Sequence, residues 1–102
     1  MKTILIIGAI VGGATLASAA SASAELAKAK NCMGCHSMTT KLVGPVFKDI
    51  ANKYAGQDAE NKIAQKILKG GVGAWGSVPM PPSPQLSDAE AHLLANWILS
   101  QK

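Results

Sequence analysis

Residues 31–38, NCMGCHSM, hold both cysteines of this 102-residue chain and one of its two histidines. Whatever occupies that pair governs how the surrounding chain folds, because a disulfide, a metal ion and a covalently attached group each demand different neighbours. The compartment narrows the choice. Residues 1–24, MKTILIIGAIVGGATLASAASASA, combine a basic start at Lys2, an apolar run from Ile4 to Leu16 and small residues ahead of a cut. Those are the three parts of a secretory signal. The cut is expected after Ala22-Ser23-Ala24; one after Ala17-Ser18-Ala19 would leave an Ala/Ser tail on the mature protein. A membrane anchor fits less well, since a spanning helix wants about 20 strongly apolar residues and the second half of this segment is Ala, Ser, Thr and Gly. Residues 25–102 are therefore expected to work in an oxidising space, where a free cysteine pair does not normally persist.

Three readings of Cys32-x-x-Cys35 compete. A redox dithiol normally follows a strand in a βαβ unit, and no such unit is visible here. Structural zinc needs four ligands, whereas Cys32, Cys35 and His36 leave only a distant His92 as a fourth. The third reading uses the histidine that follows at once: C-x-x-C-H is the attachment signature of c-type haem, with two thiols linked to the macrocycle and the next side chain, His36, under the iron. Export and the absence of any other cysteine favour this reading.

Composition agrees with a bulky guest. Phe47, Tyr54, Trp75 and Trp97 are the only aromatic side chains. A domain this short usually needs a staple beyond its own core, and a porphyrin would supply the missing apolar bulk. Beyond the expected cut, nine lysines stand against six acids without a dense basic run, which gives no footing for nucleic acid.

Helical periodicity dominates, and the domain reads as all-α. Glu25 to Asn31 forms a short helix leading into the cysteine motif. In GPVFKDIANKYAG, Pro45 suits a first turn, Gly56 a stop, and Phe47, Ile50, Ala51 and Tyr54 share an inward face. DAENKIAQKILKGG places Ile63, Ala64, Ile67 and Leu68 on one stripe and ends at Gly70 and Gly71. Residues 71–85 read as a long irregular loop, a kind of segment that tends to carry function. The last helix opens on a capping box, Ser87 with Glu90, and its buried face is expected to be Ala89, Leu93, Trp97 and Ile98, leaving His92 at the surface.

The atom opposite His36 decides what a haem here does: an open position binds ligands or catalyses, a closed one carries electrons. Of the four methionines, Met1 leaves with the signal, Met33 lies between the two thiols, and Met38 is too close to His36 to cross a ring. Met80 remains, and in VPMPP the prolines Pro79, Pro81 and Pro82 stiffen the backbone that aims it.

CMGCH, LVGPVFKDIANKYAGQ, WGSVPMPP and SDAEAHLLANWILSQK, in that order, resemble the small bacterial class I cytochromes c of the cytochrome c-551 type. The resemblance covers nearly the whole mature segment. It implies about four helices wrapped around one covalently bound haem c, Cys32 and Cys35 as thioether anchors, and His36 and Met80 as axial ligands. Pro45 maps onto the residue whose carbonyl accepts the histidine ring N–H. Trp75 maps onto an indole at a haem propionate, and Lys66 stands where many relatives carry an arginine at a propionate. The function implied is a periplasmic, monomeric single-electron carrier, not an enzyme, that docks transiently on larger redox proteins at its haem edge and binds neither nucleic acid nor, once the signal is cut, a membrane. A haem enzyme or gas sensor with a displaceable sixth ligand is the alternative.

Overall fold

The computed structural model describes Gly8 and residues 16–102, with side chains from Ala22 onward. Lys2 and most of the apolar run of the expected signal lie outside the described residues. Four helices follow in order: α1 (Leu16–Ala29), α2 (Phe47–Lys53), α3 (Glu60–Lys69) and α4 (Asp88–Leu99). No helix among the described residues is long and apolar enough to cross a membrane.

The first helix is longer than the segment Glu25 to Asn31 anticipated from the sequence. It begins upstream in a run of alanines and serines and passes unbroken through Ala24 and Glu25. It stops because Asn31 turns into the left-handed region, φ 66°, ψ 21°, a conformation that asparagine tolerates better than most residues. The reversal feeds straight into a 3₁₀ turn at Cys32–Gly34. Pro45 stands just outside α2, with Val46 as the extended N-cap residue.

Helix α4 is the hub and packs on each of the other three helices. Its start is the capping box anticipated from SDAE: Glu90 N–H donates to Ser87 Oγ at 3.1 Å, and Ser87 N–H donates to Glu90 Oε1 at 3.0 Å. Its buried face differs from the expected one. Ala91, Leu94, Ala95, Trp97 and Ile98 are buried, whereas Ala89 and Leu93 are exposed. The helix is apolar almost all round, so its periodicity leaves the phase of the buried stripe undetermined. Neighbours on α1, α2 and α3 select it. His92, expected at the surface, is half-buried against α3, with Nδ1 3.3 Å from Glu60 Oε2 and Nε2 3.8 Å from Asp88 Oδ2.

Phe47 and Leu94 are the largest fully buried side chains. Phe47 makes an edge contact with Trp97, ring centres 5.1 Å apart and planes at 66°, a favoured aromatic geometry.

The glycine-rich stretch after α3 is not irregular throughout, as its composition suggested. It folds into a small antiparallel hairpin of β1 (Gly71–Gly73) and β2 (Gly76–Met80), pairing Gly71 with Met80 and Gly73 with Gly76. The strands pair through main-chain bonds in a glycine-rich segment, so no alternation of side chains announced them. The hairpin stands off the helical body, and a cleft lies between.

Candidate functional site

Cys32, Cys35, His36, Pro45, Lys66, Trp75 and Met80 all line that one cleft. Residues from the N-terminal turn, the approach to α2, helix α3 and the hairpin thus converge from distant parts of the chain. Phe47, Ile50, Ile63, Ile67 and Ile98 form its inner wall and Val72 and Val78 the hairpin side, while Lys41, Lys62 and Lys66 are its only charged members.

His36 is held by a hydrogen bond and by a ring stack. Its Nδ1 lies 2.7 Å from the Pro45 carbonyl oxygen. A carbonyl only accepts, so Nδ1 carries a proton, and in the neutral ring Nε2 is the nitrogen with the lone pair for another partner. The ring also stacks on Phe47, centres 5.3 Å apart and planes at 28°. Gly44 makes this placement possible: a Cβ there would lie 2.5 Å from Cε1 and 2.8 Å from Nδ1 of the imidazole. The Gly44 N–H donates to the Cys35 carbonyl at 2.8 Å, which ties this approach to the cysteine motif.

Met80 is carried by the end of β2, and Gly70 fixes where that end passes. Gly70 caps α3 with φ 70°, ψ −173°, and a Cβ there would meet the Met80 carbonyl oxygen and lie 2.8 Å from the Pro82 nitrogen. Beyond the prolines, the Ser83 N–H donates to the Ile67 carbonyl at 3.0 Å and returns the chain to α3. Lys66 folds its ammonium over the Gly71 backbone.

Cys32 and Cys35 are both free thiols, neither fully buried nor fully exposed. Burial pushes the Cys32 thiol above its ordinary pKa, against a smaller opposing effect of a backbone hydrogen bond. Among the described residues no three His, Cys, Asp or Glu side chains converge as metal ligands, which counts against a zinc centre built on Cys32, Cys35 and His92. The residues of the cleft do suit a covalently attached haem. Two free thiols stand beside an imidazole of fixed tautomer, a thioether shares the cleft, the walls are apolar, and lysines without a single carboxylate await acidic groups.

Gly44, Gly70 and the Phe47 ring against His36 belong to the site although sequence reasoning did not assign them to it. Neither glycine adjoins His36 or Met80 in the sequence, where Gly44 precedes Pro45 and Gly70 closes the α3 stripe, so the sequence marked each only as a turn residue. What each must make room for is visible only in three dimensions.

Fold and cleft together describe a small helical domain with room for a haem-sized group, and similarity to known proteins identifies its family. The family model Cytochrome c matches residues 20–102. The chain is 53% identical over 103 residues to cytochrome c-552 of Hydrogenobacter thermophilus, covering 100% of both chains. It is 47% identical over 105 residues to cytochrome c-551 of Pseudomonas aeruginosa, again covering 100% of both. The crystal structure of wild-type cytochrome c552 from Nitrosomonas europaea superposes with a TM-score of 0.73 at 52% identity, covering 78% of this chain and 99% of that one. The chain belongs to the cytochrome c family and has the class I cytochrome c fold, four helices with a small antiparallel sheet. Family membership implies covalent haem c held through two cysteines, and Cys32 and Cys35 are the two that the chain possesses.

Proposed function

We propose that this protein is a single-electron carrier whose haem is held by Cys32 and Cys35 and ligated by His36 on one face and Met80 on the other. The observation that carries this reading is the bond from His36 Nδ1 to the Pro45 carbonyl, 2.7 Å, which leaves Nε2 as the free donor atom in the cleft that Met80 also lines. The haem supplies reversible one-electron chemistry between its ferric and ferrous states. Everything else falls to the chain. Pro45 orients the imidazole and makes it a better donor. Pro79, Pro81 and Pro82 limit how far Met80 can swing. Thioether ligation favours the ferrous state relative to a second imidazole and so raises the potential.

Lys66 and Trp75 line the same cleft, and we assign them to the propionate side. Lys66 is a point charge there rather than a bidentate fork. The signal-like residues 1–24 support a periplasmic location, with residues 25–102 as the working domain. Partners are larger periplasmic redox proteins that dock briefly at the haem edge, in encounters small enough to dissociate quickly. The carrier acts as a monomer, performs no bond chemistry and has no role on nucleic acid or in the membrane.

A redox titration of the matured holoprotein, followed by its visible spectrum, tests the reading. A single reversible one-electron transition with the spectrum of a low-spin, six-coordinate haem is expected. A high-spin spectrum in either oxidation state would contradict His36/Met80 ligation.

A further inference from the structure

Lys53 ends α2 and has no place in the cleft, yet it reaches across to the hairpin in two ways. Its Nζ donates to the Ala74 carbonyl at 2.6 Å and lies 4.5 Å from the centre of the Trp75 ring. Ala74 and Trp75 are the two turn residues between β1 and β2. Among the described residues, no other side chain of a helix hydrogen-bonds to that turn. The strands pair with each other and pack little against any helix, and everything from Val72 to Pro79 is exposed. Lys53 is thus the helical side chain that ties the turn directly to the body of the domain, and with it the distance of Trp75 from the helical wall. One ammonium group that meets a carbonyl and an indole face together fixes both the height and the rotation of the turn.

We propose that Lys53 is a positioning residue: it latches the β1–β2 turn to α2, holds Trp75 in one orientation at the cleft, and through that residue influences the potential of the haem. The potential part rests on the haem reading given above; the latch itself does not. The latch also accounts for a lysine in a last helical turn directed across to a neighbouring segment instead of out into water. Arginine keeps the cation and the donor, and methionine keeps the apolar stem without either.

The test compares wild type, Lys53→Met and Lys53→Arg as holoproteins. Three quantities are read: hydrogen exchange of the β1–β2 ladder amides, the Trp75 indole N–H resonance, and the midpoint potential. Loss of a carbonyl bond and a cation–π contact at an exposed site is expected to speed ladder exchange about three- to tenfold in Lys53→Met. The indole resonance moves and the midpoint falls with it, and Lys53→Arg restores most of all three. Unchanged exchange in Lys53→Met overturns the latch, even if the indole resonance and the potential shift, since the loss of a charge 4.5 Å from the ring moves those two through space without freeing the turn. Failure of Lys53→Arg to restore slow exchange overturns it as well. The Gly73–Gly76 end of the ladder adjoins the latched turn and lies away from the Gly71–Met80 pair, so exchange there reports the latch, while an error in the His36/Met80 assignment would show in the wild-type spectrum.

Discussion

Gly44 and His36 are packed so closely that a Cβ on Gly44 would lie 2.5 Å from Cε1 of the imidazole. The ring cannot retreat without leaving the Pro45 carbonyl 2.7 Å from Nδ1 or its stack on Phe47. Gly44→Ala is therefore expected to destabilise the holoprotein by about 1–3 kcal/mol, the usual range for forcing extra volume into a packed site. Guanidinium unfolding of the two holoproteins checks the magnitude, and a wild-type midpoint in the variant would show that the ring has room to move.

Gly70 does for Met80 what Gly44 does for His36, with an added backbone constraint. At φ 70° an alanine is strained by about 1–3 kcal/mol, and its Cβ would also lie 2.8 Å from the Pro82 nitrogen and 2.9 Å from the Pro81 carbonyl carbon. Gly70→Ala is expected to push the Met80 segment outward and weaken the thioether ligation proposed above. The nuclear magnetic resonance signal of the Met80 methyl group, displaced by the haem ring current when the ligand is bound, should broaden or split. An unaltered signal would mean that the segment is aimed by its prolines alone.

Phe47 links the site to the core, since one ring meets His36 and Trp97 together while remaining 1% exposed. Phe47→Ala should cost about 3–5 kcal/mol, as for other buried aromatic truncations, and Phe47→Leu markedly less. Thermal unfolding of the holoproteins measures both. Equal losses would indicate that the aromatic face against His36, rather than buried volume, sets the cost.

The cap of α4 gives a pH dependence with a definite sign. The bond that Glu90 accepts from the Ser87 backbone is the largest influence holding its carboxyl below the usual glutamate pKa. A carboxylate depressed in the folded state contributes stability that is present above its unfolded pKa and lost as pH falls through its folded one. Stability of the wild type should therefore decline on acidification through and below the ordinary glutamate range, and Glu90→Gln should remove that component of the decline. Ser87→Ala removes the other half of the box and should cost about 1 kcal/mol at neutral pH. Denaturant midpoints collected between neutral and acid pH check both; parallel curves for wild type and Glu90→Gln would contradict the assignment.

What could be read from the sequence was mostly local. CMGCH names its own chemistry, SDAE its own cap, and the stripes of α2 and α3 are amphipathic enough to orient themselves. Helix α4 is not, and its buried residues proved to be Ala91, Leu94 and Ala95 where Ala89 and Leu93 were expected. The hairpin stayed hidden because Gly71 pairing with Met80 and Gly73 with Gly76 is a main-chain affair in a segment whose glycines and prolines suggest a loop. Gly44, Gly70 and Lys53 act through neighbours 8 to 22 positions away in the chain or through close backbone approach. Such relations have no periodicity to reveal them.

Met80 is proposed to close the cleft opposite His36, which would make this an electron carrier rather than a ligand-binding haem protein. Carbon monoxide added to the reduced holoprotein at neutral pH tests it directly in the visible spectrum. A spectrum essentially unchanged over minutes is expected; fast, stoichiometric binding would show that Met80 leaves the sixth position open.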